Sequence, residues 1–124
     1  MALGFLATKA RSDVLTLSLP AESTAGLVDA LDHLRTTAAP DRRAPLDGLA
    51  RDLATAVAPA GPSELTARRD LLRELLAVAI DEAADRLGRH GTRLVRGEAA
   101  ADELRAGVAE LSRLLDLLET VEAG

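Results

Sequence analysis

The chain has 124 residues, a formal net charge of −5 and no cysteine, which excludes disulfides, thiolate metal sites and cysteine nucleophiles. Hydrophobic residues make up 48% of it but aromatic residues only 1%, so the core must be built from Leu, Val and Ala, and this favours an all-α fold. The acidic balance argues against nucleic acid or an anionic membrane as the partner.

A cytoplasmic protein without a membrane span is expected. No run of about 18 apolar residues is present, as a spanning helix would need. The segment from Met1 to Phe5 lacks the basic and apolar regions of a secretory signal. We expect one domain in three parts: an N-terminal extension over 1–20, two shorter helices over 21–62, and a long helical hairpin over 63–124.

A short strand is predicted within residues 12–19. Leu15, Leu17 and Leu19 alternate with polar residues, which places the three leucines on one face of an extended segment. Pro20 follows and suits the first turn of a helix.

Two shorter helices are predicted next, over residues 21–37 and 46–58. Both carry leucines at helical spacing. Prolines at both ends of a charged segment predict a loop over 38–45, and Pro59 stops the second helix.

The longest helical pattern runs from residue 65 to about 87, with Ser63 as a good N-cap. Gly88 and Gly91 interrupt or end it, and the sequence leaves open whether the helix continues as far as Gly97. The residues expected to face inward together are Leu72, Leu75, Leu76, Ala79, Ile80, Ala83 and Leu87.

The clearest signal is an apolar seam in the last helix, predicted from about residue 99 to 122. Its members recur at spacings of 4, 3, 4 and 3, as in helices that dock lengthwise onto other helices. Leu114, Leu117 and Val121 widen the same apolar side. The seam residues, predicted to bind a helical partner or a second copy, are Leu104, Val108, Leu111, Leu115 and Leu118.

The two long helices are joined by a short segment, so an antiparallel hairpin is predicted. A hairpin buries one face only. Either the helices over 21–37 and 46–58 complete it to a small bundle, or a second copy of the chain covers it.

Basic residues cluster near the end of the first long helix. If that helix continues to residue 96, the spacing of these residues places them on one side, where they could bind an acidic partner helix or a phosphate. The alternative is that they form a solvent-exposed face without a partner. These residues are Arg86, Arg89, His90, Arg93 and Arg96.

No enzymatic site, metal site or cofactor site is predicted. Asp29, Asp32 and His33 form an acidic patch, but a metal needs further convergent ligands and the chain has only two histidines. The sequence also lacks a Ser–His–Asp order, a glycine-rich phosphate loop and an HExxH motif. We therefore expect a non-enzymatic protein that works by contact.

Between the two leucine-rich helical patterns lie Arg89, His90, Arg93, Val95, Gly97, Asp102 and Glu103. At these positions residues 71–122 resemble the gas vesicle protein K family, which has a leucine-rich helix, a segment of the type RHAMRRVEGGTLTDEQ and a second leucine-rich helix. The resemblance implies a non-catalytic accessory role in gas vesicle assembly.

The run VLTLSLPAE is similar to the strand and helix start of ribbon-helix-helix DNA-binding domains, which would make residues 14–58 a DNA-binding regulator. In that family the strand pairs with its mate in a dimer and points polar residues at base edges. Here the resemblance implies that role for Thr16 and Ser18, with Lys9 and Arg11 near phosphates.

Overall fold

Four α-helices and a two-stranded sheet form the part of the chain that the computed structural model describes, residues 13–97 and 101–123. The all-α class with a short N-terminal strand is thereby confirmed. In chain order the elements are β1 (Val14–Ser18), a 3-10 turn (Ala21–Ser23), α1 (Thr24–Thr37), α2 (Pro40–Val57), β2 (Glu64–Arg68), α3 (Arg69–Val95) and α4 (Ala101–Ala123).

The two strands pair antiparallel although α1 and α2 lie between them in the chain. Leu15 stands opposite Ala67, and Leu17 stands opposite Leu65. Leu17, Leu19 and Leu65 are buried, so the predicted alternation of β1 is confirmed. The sheet therefore presents one apolar face to the helices and one polar face to solvent.

The prediction that the helix of the hairpin begins at residue 65 is wrong. Ser63 does not cap a helix; it adopts a left-handed backbone with φ 56°, and its carbonyl accepts a hydrogen bond of 2.8 Å from Leu19 N. Residues 64–68 then continue as β2, and the helix begins at Arg69. The hairpin therefore starts at residue 69 rather than 63. Residues 64–68 form backbone hydrogen bonds with β1, and a local sequence pattern carries no information about that distant partner.

The prediction of a loop over residues 38–45 is wrong from Pro40 onward. Pro40 occupies the first turn of α2, where its missing N–H is not needed. Pro45 lies inside the helix and removes one backbone hydrogen bond. Burial of the apolar side of α2 offsets the lost hydrogen bond; the buried residues are Leu46, Leu49, Leu53 and Ala56.

Two ion pairs tie α2 to its neighbours. Arg35 Nε on α1 donates to Asp47 Oδ1 at 2.9 Å. Arg42 Nη1 donates to Glu74 Oε1 on α3 at 2.8 Å, and this hydrogen bond raises the pKa of Arg42 above its ordinary value. Both pairs are solvent-exposed, so they orient α2 more than they stabilise it.

Helix α3 is continuous through Gly88 and Gly91, which settles the question left open by the sequence. A Cβ added at either glycine would meet open space, so contact with a neighbouring element does not require glycine at these positions. The helix ends at Val95, and Gly97 takes a positive φ of 74°, as expected just beyond a C-terminus.

Helix α3 is the centre of the bundle. It packs most extensively on α4, then on α1, and α2 covers α1 and β2. Arg93 on α3 lies 3.8 Å from Glu103, and Arg69 Nη1 donates to Val121 O at 2.7 Å, so α3 and α4 run antiparallel. The hairpin is confirmed, and α1 and α2 of the same chain complete it.

Candidate interaction surface

The five apolar residues of α4 that are predicted to bind a partner lie partly outside the core. Leu114 and Val121 are fully buried, whereas Val108 is 52% and Leu115 43% exposed. Leu111 and Leu118 are partly buried against the core, and Leu104 is half-buried. Helix α4 is thus rotated so that one side of its wide apolar face packs inward and the other side meets solvent.

Helices α3 and α4 lie close together at Gly107. Gly107 faces Leu87, and a Cβ at Gly107 would stand only 3.0 Å from Leu87 Cδ1. Any larger residue would require the end of the Leu87 side chain to shift by a few tenths of an ångström, so the glycine fits this contact without that adjustment.

A buried polar cluster holds α4 against the 3-10 turn. Ser23 is fully buried, and its Oγ donates to Glu110 Oε2 at 3.1 Å. Arg113 Nη2 donates to the same oxygen at 2.8 Å, and Arg113 Nε donates to Ser23 Oγ at 3.3 Å. Neither Glu110 nor Arg113 is singled out by the sequence pattern; their closeness to Leu114 along the chain is the signal that was missed.

Five apolar residues follow one another along the solvent side of α4, two of them exposed and three of them partly exposed. We call the five residues Leu104, Val108, Leu111, Leu115 and Leu118 the α4 stripe. Along its outer edge lie three exposed polar residues seven positions apart, Arg105, Ser112 and Glu119. Arg105 Nη1 contacts Asp102 Oδ1 at 2.8 Å, in a pair whose side chains are both largely solvated.

The basic residues of α3 have different surroundings. Arg89 pairs with Asp85 on the same helix, and Arg93 lies near Glu103 of α4. Arg86 lines a cleft between helices, and Arg96 is exposed at the C-terminal end of α3. Two of the four are therefore already engaged by acids of this chain.

A cleft of about 510 Å³ lies between α1, α3 and α4. Its walls carry both signs of charge, including Asp29, Arg86 and Glu110, and Glu110 is held by Ser23 and Arg113. Nδ1 of His90, also in the wall, is buried without a hydrogen-bond partner. Within residues 13–97 and 101–123, no three His, Asp or Glu side chains converge as metal ligands.

The strand that resembles a ribbon-helix-helix strand has a partner within the chain. Thr16 and Ser18 are exposed, as expected, but Thr16 Oγ1 lies 2.7 Å from Thr66 Oγ1 of β2. One edge of β1 is thus occupied by β2, where that family places a second copy. Lys9 and Arg11, assigned to phosphate contacts, lie outside the described residues, as does residue 99, the expected start of the last helix.

Comparison with known proteins found no family model, no curated protein and no solved structure that matches this chain. The resemblances to gas vesicle protein K and to ribbon-helix-helix domains therefore stay predictions. Across the described helices, none combines the length and the apolar character that crossing a bilayer requires.

Proposed function

We propose that this chain is a non-enzymatic interaction protein that docks helix against helix through the α4 stripe, with a second copy of itself as partner. The observation that carries the proposal is the exposure of Val108 (52%) and Leu115 (43%) beside a core that the four helices and the sheet already form. The monomer covers these side chains only in part, whereas burying each fully in an interface is worth on the order of 1–2 kcal/mol.

The continuity of the stripe distinguishes it from the other exposed apolar residues. Val14, Val28 and Val95 are also exposed, but they lie on β1, on α1 and at the end of α3. Single exposed apolar residues are ordinary on protein surfaces, whereas a contiguous patch is typical of an interaction site. The α4 stripe extends over four helical turns of one element.

Gas vesicle assembly is the proposed setting, on the resemblance of residues 71–122. The residues in step with that family fall at the end of α3 and the start of α4, the hairpin that also carries the stripe. An accessory protein that acts by contact is compatible with a surface built for helix docking.

Sedimentation equilibrium of the full chain from about 1 to 200 µM tests the proposal. The expected result is an average mass that rises with concentration toward the dimer. Val108→Ser combined with Leu115→Ser should remain monomeric, while the control Val95→Ser, which changes an apolar side chain that is 89% exposed, should associate like the wild type. Circular dichroism verifies that each variant is folded. A wild-type chain that stays monomeric throughout would overturn the proposal.

A further inference from the structure

We infer that two copies pair their α4 helices antiparallel, about a two-fold axis between Ser112 and Arg113; this rests on the proposed function and specifies its geometry. The last four residues of the α4 stripe are spaced symmetrically. Val108, Leu111, Leu115 and Leu118 follow one another at intervals of 3, 4 and 3, which read the same from either end. A helix running in the opposite direction therefore meets each of them with another apolar residue, Val108 with Leu118 and Leu111 with Leu115 of the second copy.

The charges along the outer edge of the stripe decide the orientation. Arg105 stands seven residues before Ser112, and Glu119 stands seven residues after it. In an antiparallel pair the arginine of each copy faces the glutamate of the other, and the two Ser112 side chains meet near the axis. In a parallel pair in register, Arg105 and Glu119 of the two copies are about 21 Å apart along the helix axes and do not meet.

Both charged residues are available for this exchange. Among the described residues Arg105 pairs only with Asp102, and because the side chains are 78% and 87% exposed, that contact is weak and easily replaced. Glu119 is exposed and forms no ion pair with any of the described residues. The same edge is thus positive at one end and negative at the other, which is self-complementary only in the antiparallel sense.

Two neighbouring features are compatible with this geometry. The buried side of α4, marked by Leu114 and Val121, is turned away from the stripe, so a second α4 can approach without displacing α3. The polar cluster of Ser23, Glu110 and Arg113 fixes the rotation that keeps Val108 outward. The stripe is therefore held in place for docking rather than exposed by chance rotation of a loosely packed helix.

Cross-linking of single-cysteine variants tests the orientation, because the natural chain contains no cysteine. With a short bismaleimide, Ser112→Cys should cross-link with itself. Arg105→Cys and Glu119→Cys should each fail alone and cross-link when mixed. Thr55→Cys, an exposed site on α2, serves as the control for random collision. Self-cross-linking of Arg105→Cys above that control would overturn the antiparallel arrangement.

Charge exchange provides a second, non-covalent readout. Arg105→Glu should weaken association by about tenfold, because each dimer then contains two like-charged contacts in place of two opposite ones. Adding Glu119→Arg should bring the affinity back to within about threefold of the wild type. A double variant no better than Arg105→Glu would contradict the pairing while leaving association through the α4 stripe intact, whereas a monomeric wild type would overturn both proposals.

Discussion

Two adjacent leucines of α4 should have very different effects on stability. Leu114 is 0% exposed and contacts the core, so Leu114→Ala removes buried methyl groups and leaves a cavity. Such substitutions cost about 3–4 kcal/mol. Leu115 is 43% exposed, so Leu115→Ala loses a contact that is only partial and opens no closed cavity. We expect it to cost about 1 kcal/mol or less in the monomer.

The contrast is measured by urea denaturation followed by far-ultraviolet circular dichroism, since the chain has no Trp or Tyr to report by fluorescence. Both variants should be studied at a concentration where the wild type is monomeric, because association stabilises the folded chain by mass action. A domain of this size has about 5–15 kcal/mol of stability, so Leu114→Ala should remain largely folded in water with a lower midpoint and an unchanged m-value.

Equal losses for the two variants, or a larger loss for Leu115→Ala, would refute the rotation of α4 described above. The packed side would then include Leu115, and the α4 stripe would not be free to bind a partner. The comparison is sharp because the two residues are chemically identical and adjacent, so helix propensity and local position contribute equally to both.

Further stability predictions follow from glycines and from the buried hydroxyl. Gly61→Ala places a Cβ 2.3 Å from the carbonyl oxygen of Thr55, so we expect a loss of about 2–3 kcal/mol in urea denaturation, and a neutral result would contradict the turn at this position. Gly88→Ala faces open space inside α3 and should raise the thermal midpoint, by the equivalent of about 0.5–1 kcal/mol; a drop would mean that the helix does not continue there. Ser23→Ala removes the buried hydroxyl that donates to Glu110 and accepts from Arg113, and should cost about 1–3 kcal/mol, whereas an unchanged midpoint would argue against the polar cluster.

Local patterns predicted much of the fold because most of its contacts are between residues of regular helices. Leu75 and Leu76 of α3 each lie about one helical turn from Leu72, and all three are buried, as their spacing indicates. Leu15 and Leu17 of β1 alternate with polar residues and face the core. In both elements the side that turns inward is visible in the sequence itself.

The elements that sequence analysis missed depend on distant partners. Residues 64–68 carry a weak pattern, with only Leu65 and Ala67 apolar, and they become a strand because β1 pairs with them across two helices. The local pattern places Pro45 at the end of a loop, yet the proline lies inside α2, where burial of the leucines that follow offsets the lost hydrogen bond.

The sequence shows which apolar residues α4 carries, but it does not show which of them face the core and which face solvent. The apolar side of α4 is wide enough that either of two sides could pack inward, and helical periodicity does not choose between them. The inward side is held by the hydrogen bonds of Ser23 with Glu110 and Arg113 of α4, and at Gly107 the helix lies close to Leu87 of α3. Both are tertiary contacts between segments far apart in the chain.

Methyl NMR on a dilution series tests most directly whether the α4 stripe is the association surface. As the concentration falls from about 500 to 10 µM, the methyl resonances of Val108 and Leu115 should shift together toward limiting monomer values. Those of Val28 and Val95, which are exposed elsewhere, should stay constant. Shifts confined to residues outside α4, or no shift at any methyl group, would contradict the account.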